Sequence, residues 1–187
     1  MRNARRPCTA TLVASRPSSK NTLTTGPWIS TRNVTSATDL ASSIGSKANA
    51  PGVVFGYAAG NDVSVRDWQF HTSQWILGKS FDTHAPFGPF LVTADEIGDP
   101  HTLGIRCFVN GEKRQDSNTS NLVFDVHDQI ALLSQAMTLE PGDVIFTGTP
   151  GGVGFAAKPP RFLKAGDVVR VEIDRIGAIE ARMVDET

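Results

Sequence analysis

The chain has two cysteines in 187 residues and no Cys-x-x-Cys pair. Cys8 and Cys107 stand about a hundred residues apart, a spacing that indicates neither a disulfide framework nor a zinc site. Cys107 falls on the apolar face of the alternating run from Leu103 to Val109 and reads as a buried strand thiol. No apolar stretch approaches the ~18–20 residues a spanning helix needs. The formal net charge of −1 and a pI near 6.4 give no electrostatic case for nucleic acid or an anionic membrane. A Gly-x-Ser-x-Gly elbow is missing, which removes the usual serine-hydrolase arrangement. The four histidines, His71, His84, His101 and His127, show no paired or clustered spacing.

The first fifty residues hold a single acid. Arg2, Arg5, Arg6, Arg16, Lys20 and Arg32 all precede the first carboxylate, Asp39, and Ser and Thr make up about a third of the segment. An organelle transit peptide, a disordered stretch and a shifted reading frame would each give this composition. Residues 1–50 are therefore set apart from 51–187, which read as one globular domain.

Within that domain, Val53 to Ala59 is a short apolar run rich in β-formers, predicted as a buried strand that delivers Asp62 at its end. Arg66 to Phe70 can turn helically, and Phe87 to Thr93 is a second strand. Leu103 to Val109 and Glu112 to Gln115 form a hairpin around Asn110-Gly111, whose residues tolerate the positive φ of a type I′ turn. Asp125 to Met137 is predicted as a helix capped by Asp125, with Ile130, Leu133 and Met137 as its core stripe. Leu139-Glu-Pro-Gly-Asp-Val is echoed by Leu163-Lys-Ala-Gly-Asp-Val, two Gly-Asp corners that each launch a strand. Many short strands with one clear helix argue an α+β, β-dominated fold, as sandwich or roll.

Chemistry-bearing residues concentrate in Gly60-Asn-Asp-Val-Ser-Val-Arg-Asp-Trp-Gln69 and Gly78-Lys-Ser-Phe-Asp-Thr83, flanked by Trp68 and Trp75. Apolar walls around a few placed polar groups are what a small-molecule site requires. Asp62 suits a hard cation but equally an Asx turn. Arg66 can fork onto a carboxylate or pair with Asp67 or Asp82, and Gln69 can donate to a substrate oxygen. Gly78-Lys79-Ser80 is not the end of a phosphate loop, because position 73 is Ser73 and not glycine. Lys79 can instead place a fixed charge where an enolate develops. The loop from Thr147 to Gly154 holds four glycines in eight residues, exposing backbone amides to an anion.

These two motifs, with the later Thr-Gly-Thr-Pro-Gly-Gly-Val-Gly, resemble the signature of the fumarylacetoacetate hydrolase superfamily from about Val53 onward. The resemblance implies a mixed β-sandwich roll and a homodimer. It also implies a Mg²⁺-dependent enzyme (Mn²⁺ or Ca²⁺ being alternatives) on 2-oxo or 1,3-dicarbonyl acids. It assigns Asp62 to the metal, Lys79 to catalysis, and Arg66, Gln69 and Thr149 to substrate. The implied reaction is C–C hydrolysis of an acylpyruvate, with oxaloacetate decarboxylation or tautomerisation as alternatives; a non-catalytic binding or dimerisation module is the other class. Its location is cytoplasmic or mitochondrial. One departure stands out: the family completes its metal site with an upstream Glu-x-Glu, whereas residues 1–52 contain no Glu and no His. Weak Mg²⁺ binding is expected as a result.

Overall fold

The computed structural model describes the backbone of residues 10–15 and all of residues 46–185. Two four-stranded antiparallel sheets face each other. The first has the order β3-β2-β1-β6, with β1 Ala10–Ser15, β2 Gly56–Asn61, β3 Phe87–Thr93 and β6 Val144–Phe146. The second has the order β5-β4-β7-β8, with β4 Gly104–Val109, β5 Glu112–Asn118, β7 Val168–Ile173 and β8 Gly177–Arg182. The expected β-dominated α+β sandwich is the observed fold.

Tyr57 and Ala59 meet Ile105, Cys107, Val109, Val169, Val171 and Ile173 in one core cluster between the sheets. All six residues of β2 are buried. Val53 and Val54 lie before this strand, so its start is later than the apolar run suggested. β1 sits inside the segment that composition set apart, between β2 and β6. Its Ala-Thr-Leu-Val-Ala-Ser carries β-formers but is too short to stand out against basic, Ser-rich surroundings.

The hairpin turn is as expected, with Asn110 at φ 52° and Gly111 at φ 81°. Opposite Cys107 and Phe108 the register skips, leaving Arg114 as the extra residue of a bulge in β5. The two Gly-Asp corners are the same device. Asp143 accepts from the Glu140 amide at 2.7 Å, and Asp167 from the Lys164 amide at 2.9 Å. Gly142 and Gly166 supply φ of 97° and 92°.

Two expectations are corrected. Cys107 is fully buried but held in a disulfide and not as a thiol; the rest of that bridge lies outside the described residues. Separation along the chain is a poor guide here, since closure entropy grows only logarithmically with loop length. The helix runs Val126–Ala136 and is α3, after α1 (Arg66–Gln69) and α2 (Ala94–Ile97), with Asp125 capping the Asp128 amide at 2.8 Å. Its core face is Val126, Ile130 and Ala131, while Met137 has left the helix and is 54% exposed. We expect Ile130→Ala to cost about 2–5 kcal/mol of unfolding free energy. Met137→Ala should stay within about 0.5 kcal/mol. Equal urea midpoint shifts for the two variants would contradict this packing.

Candidate active site

Strand direction sets the location of the site. β2 and β6 both run antiparallel to β1, so both leave the sheet at the same edge. Asp62 follows β2 there, and Thr147 follows β6. β3 enters at that edge, with Phe87 opposite Gly60. The polar loop between β2 and β3 and the glycine-rich loop after β6 are therefore neighbours, although some eighty residues separate them in sequence.

Inside the first loop, α1 (Arg66–Gln69) and a 3₁₀ turn (Trp75–Lys79) fold against each other. The Val65 amide donates to the Gly78 carbonyl at 2.8 Å. A Cβ on Gly78 would lie 2.6 Å from the Gln69 backbone, so only glycine permits this approach. The approach carries Lys79 to Asp62, Nζ to Oδ2 at 2.6 Å, with both side chains about one-third exposed. Arg66 donates to the Oε1 of Gln69, one turn on, and its guanidinium lies 5.3 Å from the Phe155 ring centroid. Burial lowers the Arg66 proton affinity, and the Asp62 charge opposes that shift.

Among the described residues, three buried side-chain polar atoms have no hydrogen-bond partner: Ser64 Oγ, Arg66 Nε and His84 Nε2. All belong to this one segment. Such groups are costly unless something satisfies them, and their concentration marks a ligand site. His84 Nδ1 donates to the Asp82 carbonyl at 2.8 Å, and Nε2 has no partner. The ring packs on Phe81, which packs edge-on to Trp68.

Thr149 is placed from the other side. Gln115 Nε2 donates to its Oγ1 and to the Pro150 carbonyl, each at 2.8 Å. The loop then passes over α1, with Phe155 and Phe70 rings 5.2 Å apart. A cavity of about 530 Å³ borders Thr147, Gly148, Thr149 and Pro150. Asp62 with Lys79, and Arg66 with Gln69, are thus direct pairs; the loop that carries Thr149 meets Arg66 through Phe155, and Thr149 itself borders a cavity that neither pair lines. Gln115 was missed in the sequence; its only signal is a polar residue on the inward face of a strand.

The histidines also need correction. Their sequence spacing showed no cluster, yet His101 and His127 rings stand 5.0 Å apart, and Asp125 joins them with donor atoms within 4.8 Å. This is a candidate metal group, but two of its members already cap α3. The Val126 amide donates to His101 Nε2 at 3.2 Å, and Lys47 Nζ lies 2.5 Å from Asp125. Burial and the neighbouring His101 keep the His127 pKa below its ordinary value. Burial pushes the Asp125 pKa up, but Lys47 and the Asp128 amide bring it below normal.

Known proteins give the same picture of the chain. Residues 34–184 match the family model described as fumarylacetoacetate (FAA) hydrolase C-terminal. The chain belongs to the fumarylacetoacetate hydrolase family. It is 59% identical over 133 residues to the oxaloacetate tautomerase fahd2, mitochondrial, of Xenopus laevis, covering 70% of this chain and 42% of that protein. It is 54% identical over 132 residues to the rat oxaloacetate tautomerase Fahd2a, mitochondrial, with the same shares. The chain spans less than half the length of these curated relatives. Among solved structures, fumarylacetoacetate hydrolase from Exiguobacterium antarcticum aligns with a TM-score of 0.79 at 36% identity, over 97% of this chain and 57% of that one. Fumarylpyruvate hydrolase from Pseudomonas aeruginosa, in complex with Mn²⁺ and pyruvate, aligns with a TM-score of 0.76 at 31% identity, over 97% and 67%.

Because Gly78 touches backbone, Gly78→Ala should cost about 1–3 kcal/mol and separate Lys79 from Asp62. Urea unfolding measures the first effect and a crystal structure the second. Unchanged stability with the ion pair intact would contradict the packing.

Proposed function

We propose that this chain forms the enolate-stabilising half of an enzyme acting on 2-oxo acids, with keto–enol tautomerisation of an oxaloacetate-like diacid as its reaction. The observation that carries this reading is the Asp62–Lys79 pair at 2.6 Å, at the sheet edge shared with the Thr149 loop. When water takes the carbon-3 proton of the keto diacid and returns one to the carbon-2 oxygen, the enolate between the two transfers carries its negative charge on that oxygen. Asp62 holds the Lys79 ammonium in place to meet that charge, without reorganisation at the moment of reaction. The Thr149 hydroxyl and the backbone N–H groups of Gly148, Gly151 and Gly152 offer donors to the adjacent carboxylate. Arg66, with Gln69, supplies the fork for the distal carboxylate. The names of the Xenopus and rat relatives support the same reaction and favour a mitochondrial location.

C–C hydrolysis of an acylpyruvate is the second reading, favoured by the names of the aligned hydrolases. It asks for more, since water must be activated beside the scissile bond. Tautomerisation needs only proton transfer and charge stabilisation. A binding module without turnover is the third; it predicts pyruvate binding with no change in the enol–keto rate. The ultraviolet decay of enol-oxaloacetate separates all three when run beside an acylpyruvate assay. Acceleration of the first reaction alone is the expected outcome. In any active preparation, Lys79→Ala should lower kcat by about 10²–10³, and normal turnover would remove Lys79 from the site.

The metal implied by the resemblance was tested on the donors present. Among the described residues no group of three potential ligands forms around Asp62, and its Oδ2 is engaged by Lys79. Mg²⁺ gives up water reluctantly and needs more than this to be held tightly. The described residues do not fit a tight Mg²⁺ site, and no step above passes through one. Calorimetry with Mg²⁺ or Mn²⁺ should therefore show weak binding. Tight binding that is lost in Asp62→Ala would contradict this.

A homodimer completes the proposal. β3 is an edge strand carrying Phe87, Phe90 and Leu91 at 51%, 65% and 41% exposure. Ile76, 69% exposed, adds to the apolar surface that a second copy would cover. Sedimentation should show a dimer or larger species, and a clean monomer at micromolar concentration would count against it.

A further inference from the structure

Gln115 joins the two sheets' contributions to the site through its side-chain amide. It lies on β5 at 1% exposure, one of the most buried polar side chains of the chain. The bulge at Arg114 sets its aim, because the skipped residue re-phases the strand just before it. The glycine-rich loop is pressed onto this bulge. A Cβ on Gly152 would fall 2.2 Å from the Arg114 carbonyl oxygen, and Gly152 has φ 104°, so the loop cannot lift away without losing its conformation. From this position Gln115 Nε2 donates one N–H to Thr149 Oγ1 and the other to the Pro150 carbonyl, both at 2.8 Å.

The polarity of that contact matters. A hydroxyl that accepts from an amide N–H still has its own proton to place. Within the loop the Thr149 hydroxyl reaches the Pro150 carbonyl only at 3.4 Å, a long and weak contact that a substrate oxygen can replace. We infer that Gln115 is a positioning residue that holds Thr149 as a hydrogen-bond donor, its proton directed at the carboxylate or 2-oxo oxygen of the substrate. Gln115 does not touch the substrate itself. The inference rests on the proposed role of Thr149 and assigns what makes that hydroxyl a donor and not an acceptor.

Gln115→Glu reverses the contact with little change in size. The ionised carboxylate can only accept, so it would take the Thr149 proton; the neutral acid can donate and would restore the original polarity. Pyruvate is the probe, its affinity followed by NMR titration from pH 5 to 9, with thermal unfolding to confirm that each variant folds. Relative to the unchanged chain at each pH, Gln115→Glu should bind about tenfold or more weakly at high pH, the size of one hydrogen bond to a charged group. It should recover as the pH falls. Gln115→Met, which has no donor at any pH, should lose affinity throughout without recovery. It also carries the test if the Glu variant fails to fold.

Thr149→Val closes the cycle. Its loss should equal that of Gln115→Met, and the double variant should be no worse than either single one. If Thr149→Val weakens pyruvate but the Gln115 losses are absent, additive or independent of pH in the Glu variant, the positioning role is overturned and the reading of Thr149 stands. If Thr149→Val leaves pyruvate binding unchanged, the reading of Thr149 as a substrate contact is overturned, and the inference with it.

Discussion

The site depends on one backbone constraint, the pairing of β1 with β2 on one side and β6 on the other. Both pairings are antiparallel, so β2 and β6 end at the same edge of the sheet. That direction sends the loop that holds Asp62 and the loop that holds Thr149 off the same end of the sheet, where Phe155 meets Phe70 and Arg66. The later details refine the placement. Gly78 lets the 3₁₀ turn press on Gln69 and carry Lys79 to Asp62, and the β5 bulge turns Gln115 toward Thr149. If β1 were absent, β2 and β6 would have no common neighbour to fix their relative direction.

Charge is arranged economically at this edge. The pair of Asp62 and Lys79 is about one-third exposed, so each group keeps some water while the pair stays fixed. Arg66 is buried further and carries an unmet Nε, with Ser64 Oγ and His84 Nε2 nearby in sequence and likewise unmet. Folding leaves these groups costly, and a bound diacid would relieve part of that cost.

Much of this was legible in the sequence, and what was not has a physical reason. The strand Phe87–Thr93, the Asn110-Gly111 hairpin, the Asp125 cap and the paired Gly-Asp corners each carry a local signal, and each formed as expected. Asp62, Lys79, Arg66 and Gln69 lie within one short stretch, so their mutual contacts were within reach of motif reasoning. Three features had no local signature. β1 is hidden in a basic, Ser-rich context and becomes a strand only through partners far along the chain. His101 and His127 meet through tertiary packing at the start of α3, which spacing cannot show. Gln115 looks like any polar strand residue until the bulge and the loop are seen together. Met137 illustrates the opposite failure, a residue at helical spacing that lies beyond the helix end.

A crystal structure with bound oxalate, a planar stand-in for the enolate of pyruvate, tests the central claim most directly. One oxalate is predicted to span from Lys79 Nζ to Thr149 Oγ1, with Gln115 still donating to that hydroxyl. Oxalate bound elsewhere, or Lys79 and Thr149 facing separate surfaces with no ligand between them, would contradict the account.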